Sequence, residues 1–364
     1  MNALALHEWH EKRRARFSDV NGQEMVLDYG DWAAEHEALM ATAAVLDLSC
    51  RGRLCVVGSD RVRFLHGQVT NDIQRLGEGE GCYAALVTAK GRMESDLHVY
   101  RLKDELLLDL EPGMGPQVAQ RLQKYIVADD TDVVDVSGLY GLASVQGPAA
   151  EAVVAGLNLF ASLPGRPLQT AHARQGESEI YVANHPRAGA AGFDLFAPAN
   201  VLESLMERLE ARARALGGRL AGWQALETAR IQFGIPRFRA DMDGSNLPLE
   251  CGIEERAISY NKGCYIGQEV INRVHTMGHV NRELRHLRLS REIPEVPGKG
   301  AVLFAGENEA GHVTSAARIP AGDVFAIGYV RRQFLSEREL AVVTSAGRFP
   351  AKVVQRSPQD SPPA

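Results

Sequence analysis

The feature that most constrains this chain is a change of pattern at Leu284. Beyond it the sequence breaks into short apolar runs split by glycine and proline: Arg285–Leu289, Ala301–Phe304, Val324–Arg331, Leu340–Thr344 and Phe349–Val354. Runs this short, with turn residues between them, predict a small β-barrel or sandwich over 284–356. The Pro/Ser-rich tail, 357–364, has too little apolar content to join it and is expected to be disordered.

Upstream of Leu284, strand and helix patterns alternate. Leu54–Gly58 and Tyr83–Thr88 read as strands, and Asp96–Leu102 with Glu105–Leu110 as a hairpin turning at Lys103-Asp104. Ser59 is placed to cap a helix carrying Val62, Leu65 and Val69. Similar content recurs further on. Asn200 is placed to cap a long helix with Leu202, Leu205, Leu209, Ala213 and Leu216 on one face, stopped at Gly217-Gly218. A further helix covers Trp223–Ile231, and 232–283 reads as mostly irregular and so as functional or mobile. The expected class is α+β, with a first α/β portion at 1–136, a second at 137–283 and the β-rich part at 284–356.

At 364 residues the chain is too long for one core. No apolar run reaches the roughly 18–20 residues a bilayer span needs, and Met1–Arg16 has no apolar signal core. Those absences point to a cytoplasmic protein. A net charge of −6 argues against a general nucleic-acid surface. The five cysteines include no pair at the two-residue gap of a zinc or redox motif. His275 and His279 have the i, i+4 spacing of a zinc pair, but Gly278 lies between them and no acidic third ligand is near, so no metal is expected.

The segment richest in chemistry runs Asn261-Lys262-Gly263-Cys264-Tyr265-Ile266-Gly267-Gln268-Glu269. Gly263 and Gly267 free the backbone on both sides of Cys264, and a helix is predicted from Gln268. A thiol just before a helix N-terminus and close to Lys262 is a candidate reactive thiolate. A buried packing cysteine in a tight turn fits the same residues.

Lys262-Gly263-Cys264-Tyr265-Ile266-Gly267-Gln268-Glu269 resembles the signature of the YgfZ proteins, described as folate-binding and linked to iron–sulfur cluster assembly and tRNA modification. Phe64-Leu65-His66-Gly67-Gln68-Val69-Thr70-Asn71-Asp72 resembles that family's Phe-Leu-Gln-Gly-Gln-x-Thr-Asn-Asp, with His66 as the departure. Ala89-Lys90-Gly91-Arg92 followed by Asp96 is similar to its Pro-Lys-Gly-Arg segment. The opening stretch, Tyr29-Gly30-Asp31-Trp32 and Leu46-Asp47-Leu48-Ser49, looks more like the related glycine-cleavage T-protein, an aminomethyltransferase.

The resemblance implies two ferredoxin-like folate-binding portions and a C-terminal barrel around a central opening that takes tetrahydrofolate. It implies Asp96 as the surviving member of an acidic pair beside the reactive pteridine nitrogen, and Tyr83 and Arg230 as folate contacts; Asn71 is a candidate pocket residue or a helix C-terminal cap, and Lys262 a further candidate folate contact. Lys90, Arg92 and Lys124 are possible partners for the folate tail. The T-protein's Gly-Tyr-Thr-Gly-Glu, whose glutamate holds the pteridine, is replaced by Gly189-Ala190-Ala191-Gly192-Phe193-Asp194, with the carboxylate lost or displaced to Asp194. The implied function is a folate-binding accessory protein acting on iron–sulfur proteins or their assembly scaffold through Cys264. The alternative is a tetrahydrofolate-dependent aminomethyltransferase or demethylase.

Overall fold

The computed structural model describes residues 2–189 and 191–354. The tail expected from 357 and Ala190 of the replaced glutamate segment lie outside the described residues. The chain runs α1 (His7–Glu11), β1 (Arg16–Val20), β2 (Gln23–Asp28), α2 (Trp32–Ala41), β3 (Ala44–Asp47), β4 (Gly52–Val57), α3 (Arg61–Gln68), β5 (Glu80–Val87), β6 (Met93–Arg101), β7 (Leu106–Leu110), α4 (Gly115–Gln123) and β8 (Asp132–Asp135). It continues with β9 (Tyr140–Gln146), α5 (Ala150–Ala155), β10 (Thr170–Gln175), β11 (Ser178–Asn184), β12 (Gly192–Pro198), α6 (Ala199–Ala215), β13 (Arg219–Leu220), α7 (Trp223–Gln232), α8 (Glu254–Ala257) and α9 (Gln268–Met277). The last part is β14 (Arg282–Leu289), β15 (Val302–Ala305), β16 (Asn308–Arg318), β17 (Val324–Arg331), β18 (Glu339–Thr344) and β19 (Gly347–Val353).

These strands form a sheet ordered β5-β6-β7-β4-β8, a second ordered β10-β11-β12-β9-β3-β13, the separate β1-β2 ribbon, and a closed barrel β14-β17-β16-β15-β18-β19. The barrel closes because β19 returns to pair with β14, Ala351 opposite Leu289. That settles the choice between sandwich and barrel. The mixed α/β character ahead of it is as expected.

Strand β3 lies early in the chain but sits inside the second sheet, antiparallel to β9 with Ala44 opposite Gln146. Its residues are fully buried, and β13 extends the sheet beside it in parallel. Helix α1 pins this strand from outside. His10 Nε2 meets Asp47 Oδ2 at 2.9 Å, and His10 Nδ1 meets the Tyr29 hydroxyl at 2.8 Å.

Helix α6 buries Leu202, Leu205, Met206, Leu209 and Ala213, the i, i+3, i+4 spacing of a stripe facing one sheet. It begins at Ala199 with Pro198 in the cap position, so Asn200 is not the cap. Pro198 has a fixed φ and no N–H to satisfy, which suits the step from β12 into the helix. Ser59 is not a cap either. Asp60 stands there, and the Ser59 hydroxyl donates to Asp130 at 2.7 Å instead. The stretch 232–283 carries two helices, α8 and α9, and a 3₁₀ turn at Pro248–Glu250 where irregular chain was expected. Among the described residues, no helix is long and apolar enough to cross a membrane.

Candidate functional site

The first sheet turns one face toward a cavity of about 110 Å³ that α7 closes from the other side. Side chains alternate along a strand, so Asp96 and His98 of β6 both point into it, with Tyr83 of the neighbouring β5. Helix α7 supplies Trp223, Leu226, Glu227 and Arg230 from the opposite wall. Arg187, Arg237 and Arg256 arrive from loops and from α8.

Tyr83 donates its hydroxyl to Asp96 Oδ2 at 2.7 Å. Burial pushes the Asp96 carboxyl up to about 7, helped by the nearby charge of Glu111 and opposed by the Tyr83 hydrogen bond and Arg51. The other cavity acids are held by guanidinium groups. Glu111 takes Arg51 at 2.8 Å and Arg237 at 3.0 Å. Glu227 takes Arg230 at 2.5 Å and Arg237 at 3.2 Å. Among the described residues, Asp96 is the cavity carboxylate that forms no ion pair. It is therefore the acid whose proton can move near neutral pH.

Beneath the cavity lies a buried polar layer. Arg187 Nη2 reaches Asp109 Oδ2 and Asp194 Oδ2, each at 2.6 Å. Asp109 Oδ1 accepts from Arg51 at 2.7 Å. His185 Nδ1 sits 2.8 Å from the Tyr100 hydroxyl and 3.1 Å from Asp194. Burial, with the neighbouring His185, pulls His98 down to about 3, and burial also lowers His185, so both imidazoles are neutral. His98, Asp109 and His185 bring ligand atoms within 4.8 Å of one another, close enough to hold a metal ion. The guanidinium of Arg187 already supplies the positive charge their carboxylate calls for, and both Asp109 oxygens are engaged by arginine. The layer is an arginine-bridged acid pair in its chemistry.

Of the residues singled out in the sequence, Asp96, Tyr83 and Arg230 meet in this cavity. Arg230 is held there by Glu227, Asp241 at 2.5 Å and Ser315 at 2.8 Å. Asn71 stands behind the wall. Its amide nitrogen donates to Tyr83 O at 2.8 Å and Arg256 O at 2.9 Å, tying two cavity residues together by their backbones.

Lys262 turns inward. Its ammonium donates to His66 O, Val69 O and Asn71 O at 2.5, 2.7 and 2.7 Å, over the C-terminal end of α3. An ammonium has three donors, so none is left for a ligand or for the Cys264 thiolate. This corrects the expected pairing. Cys264 is exposed and lies outside the cavity wall, while the other cysteines are buried or half-buried. Gly267, which opens α9, has φ 85°, and a Cβ there would stand 2.6 Å from Thr88 O, so the loop can pack on the β5–β6 turn only with glycine.

Lys90, Arg92 and Lys124 do not line the cavity. Asp194 is locked by Ser144, His185 and Arg187 and does not reach it, so no displaced carboxylate faces a ligand from there. His275 stacks on Tyr260 with ring centroids 3.8 Å apart and bonds Glu254 at 2.7 Å, while His279 lies beyond the end of α9. Sequence reasoning missed His98, which the two-residue strand period from Asp96 would have found. It also missed Arg51, Glu111, Arg187, Glu227, Arg237 and Arg256, for which no local pattern exists.

Comparison with known proteins places this arrangement. The family described as the GCVT N-terminal domain matches residues 6–262, and the glycine cleavage T-protein C-terminal barrel domain matches 282–360. An aminomethyltransferase of Rubrobacter xylanophilus is 29% identical over 354 residues, covering 96% of this chain and 92% of the relative. One of Corynebacterium jeikeium is 28% identical and covers 97% of each. A putative chloroplastic transferase of Arabidopsis thaliana is 31% identical over 80% of this chain and 66% of its own. The crystal structure of the glycine cleavage system aminomethyltransferase T from Bartonella henselae superposes with a TM-score of 0.87 at 24% identity, covering 100% of this chain and 98% of that one. At that identity the likeness speaks for the fold.

Proposed function

The chain belongs to the glycine cleavage T-protein family, and on that premise we propose that its central cavity binds a reduced folate and promotes one-carbon transfer of the aminomethyltransferase type. The observation that carries this reading is Asp96. It is buried, hydrogen-bonded to Tyr83, free of any guanidinium and poised near neutral pH.

The cavity residues suit the ligand. Leu48, Leu168, Trp223 and Leu226 offer apolar walls for a flat ring. Asp96 offers a carboxyl to ring nitrogens, and arginines offer partners for the carboxylates of the tail. Tetrahydrofolate would supply the nucleophilic nitrogen and carry the one-carbon unit. Asp96 would hold or release the proton at that nitrogen, with Tyr83 fixing its orientation. Arg230, immobilised by Glu227 and Asp241, would hold the shape of the opposite wall.

A second reading is favoured by one observation, the exposure of Cys264 within the Lys-Gly-Cys-Tyr-Ile-Gly-Gln-Glu segment. On this YgfZ-type reading the folate cavity serves an accessory protein of iron–sulfur cluster assembly or repair, possible also in tRNA modification, working in the cytoplasm. Cys264 would meet an iron–sulfur partner or its scaffold at the surface. One cysteine cannot hold a cluster alone, so any cluster would be shared.

Calorimetric titration of tetrahydrofolate into wild-type, Asp96→Ala and Cys264→Ala proteins tests the first reading. Binding that weakens with Asp96→Ala and survives Cys264→Ala is expected. Absence of binding to the wild type overturns the folate reading. The second reading is tested by the activity of cluster-dependent enzymes in cells carrying Cys264→Ala, which must fall for it to stand.

A further inference from the structure

Among the described residues that line the cavity, one carboxylate and one guanidinium form no ion pair, and both lie against Tyr83. Arg51, Arg187, Arg230 and Arg237 each bond at least one carboxylate. Arg256 alone among the described cavity arginines has none. Its guanidinium carbon lies 5.3 Å from the Tyr83 ring centroid. Its neighbours do not neutralise it. Glu254 is taken by Tyr260 and His275, and Glu255 is exposed without a partner.

A guanidinium over an aromatic face keeps its in-plane N–H edge free, and that edge matches the two oxygens of a carboxylate. Arg256 is half-buried, so a charge pair formed there is screened less than one in open water. It also borders a second, larger cavity toward the barrel, lined by Glu254, His275, Leu284 and Arg285.

We propose that Arg256 is a binding residue for a ligand carboxylate held beside Tyr83 and Asp96. The proposal rests on the folate reading of the cavity and deepens it. The carboxylate has two possible sources: the glutamyl tail of the folate, or a small amine donor that carries its own carboxylate. The recognition chemistry is the same for both.

The test uses the full chain as wild type, Arg256→Gln and Arg256→Lys. Affinity is measured by calorimetry for 5-formyltetrahydrofolate, for 5-formyltetrahydropteroate, which lacks the glutamate, and for N-methylglycine added to the protein both with and without folate. Arg256→Gln is expected to weaken a carboxylate ligand by tenfold or more, and Arg256→Lys by less. Loss for the folate with none for the pteroate identifies the tail. Unchanged folate and pteroate with loss of N-methylglycine identifies the small donor. Wild-type affinity of Arg256→Gln for all three overturns the proposal, as does a wild type that binds no carboxylate ligand. A wild type that binds N-methylglycine but neither folate overturns the folate reading and leaves the Arg256 arm readable. Matching thermal midpoints of the variants exclude a folding defect.

Discussion

Tyr83 reaches diagonally across the β5–β6 pair to give its hydroxyl to Asp96 at 2.7 Å, two residues along the strand from its own backbone partner His98. The bond favours the ionised carboxylate, and burial favours the neutral acid. The balance leaves a carboxyl that changes charge in the physiological range.

Asp96 therefore makes stability depend on pH. Its folded value, about 7, lies above its ordinary 3.8, so the folded chain holds that proton more tightly than the unfolded chain. Stability attached to this group falls as pH climbs from about 4 through about 7, by up to about 4 kcal/mol. Asp96→Asn removes the loss. Denaturant unfolding should show the variant more stable than wild type by about 4 kcal/mol at pH 8, and by only about 1.5 kcal/mol at pH 5. Equal stability at both would mean that the carboxyl is not the strained group.

Tyr83→Phe deletes the donor that favours the carboxylate. The midpoint of the Asp96-linked transition is expected to move upward by about one unit. An NMR titration of the Asp96 side-chain carbon reads this directly, and a downward move would contradict the geometry.

Arg187→Met leaves Asp109 and Asp194 without their shared cation in a fully buried layer. Removing one partner of a buried pair costs about 3–5 kcal/mol. Adding Asp194→Asn should restore part of that, because Asp194 is the acid left without a cation while Asp109 keeps Arg51. Chemical denaturation of the single and double variants gives both numbers.

Lys262→Met strands three carbonyls at the end of α3. A loss of about 2–4 kcal/mol is expected, with urea midpoints as the measure. A neutral outcome would return Lys262 to the surface, and with it the case for a lysine-activated Cys264.

Alkylation should discriminate sharply among the thiols. Burial pushes Cys50, Cys82 and Cys251 up to about 12 and raises Cys55 as well. Mass spectrometry after brief maleimide treatment at pH 7 should find Cys264 modified first, since only the thiolate reacts. Cys264→Ala should change stability by no more than about 0.5 kcal/mol.

What the sequence made legible was whatever repeats locally. The short runs after Leu284 announce the barrel, and the spacing from Leu202 to Ala213 announces the buried face of α6. Asp96 and Tyr83 came through a family pattern, and the structure brings them within hydrogen-bond distance. The remainder is non-local. Arg51, Arg187 and Arg237 converge on acids that lie far from them in the chain. Nothing near any of them marks it as a cavity residue. Lys262 misled because adjacency to Cys264 in sequence says nothing of which way an ammonium turns. It turned to where three carbonyls were waiting. Ser59 and Asn200 misled because a good capping side chain can find another partner, or sit one residue inside the helix.

Strand β3 has a consequence for how the chain is made. Ala44, Val45 and Leu46 are wholly buried in the finished protein, yet their partner strand is Tyr140–Gln146 and their other neighbour Arg219–Leu220. Synthesis runs from the N-terminus. The nascent chain must therefore hold an apolar strand open on both edges until the ribosome has passed β9. A chain released at residue 136 is expected to associate through that edge, visible as light scattering that the full chain does not show. A protein assembled this way cannot be divided at the junction between its two sheets without orphaning a strand of one of them.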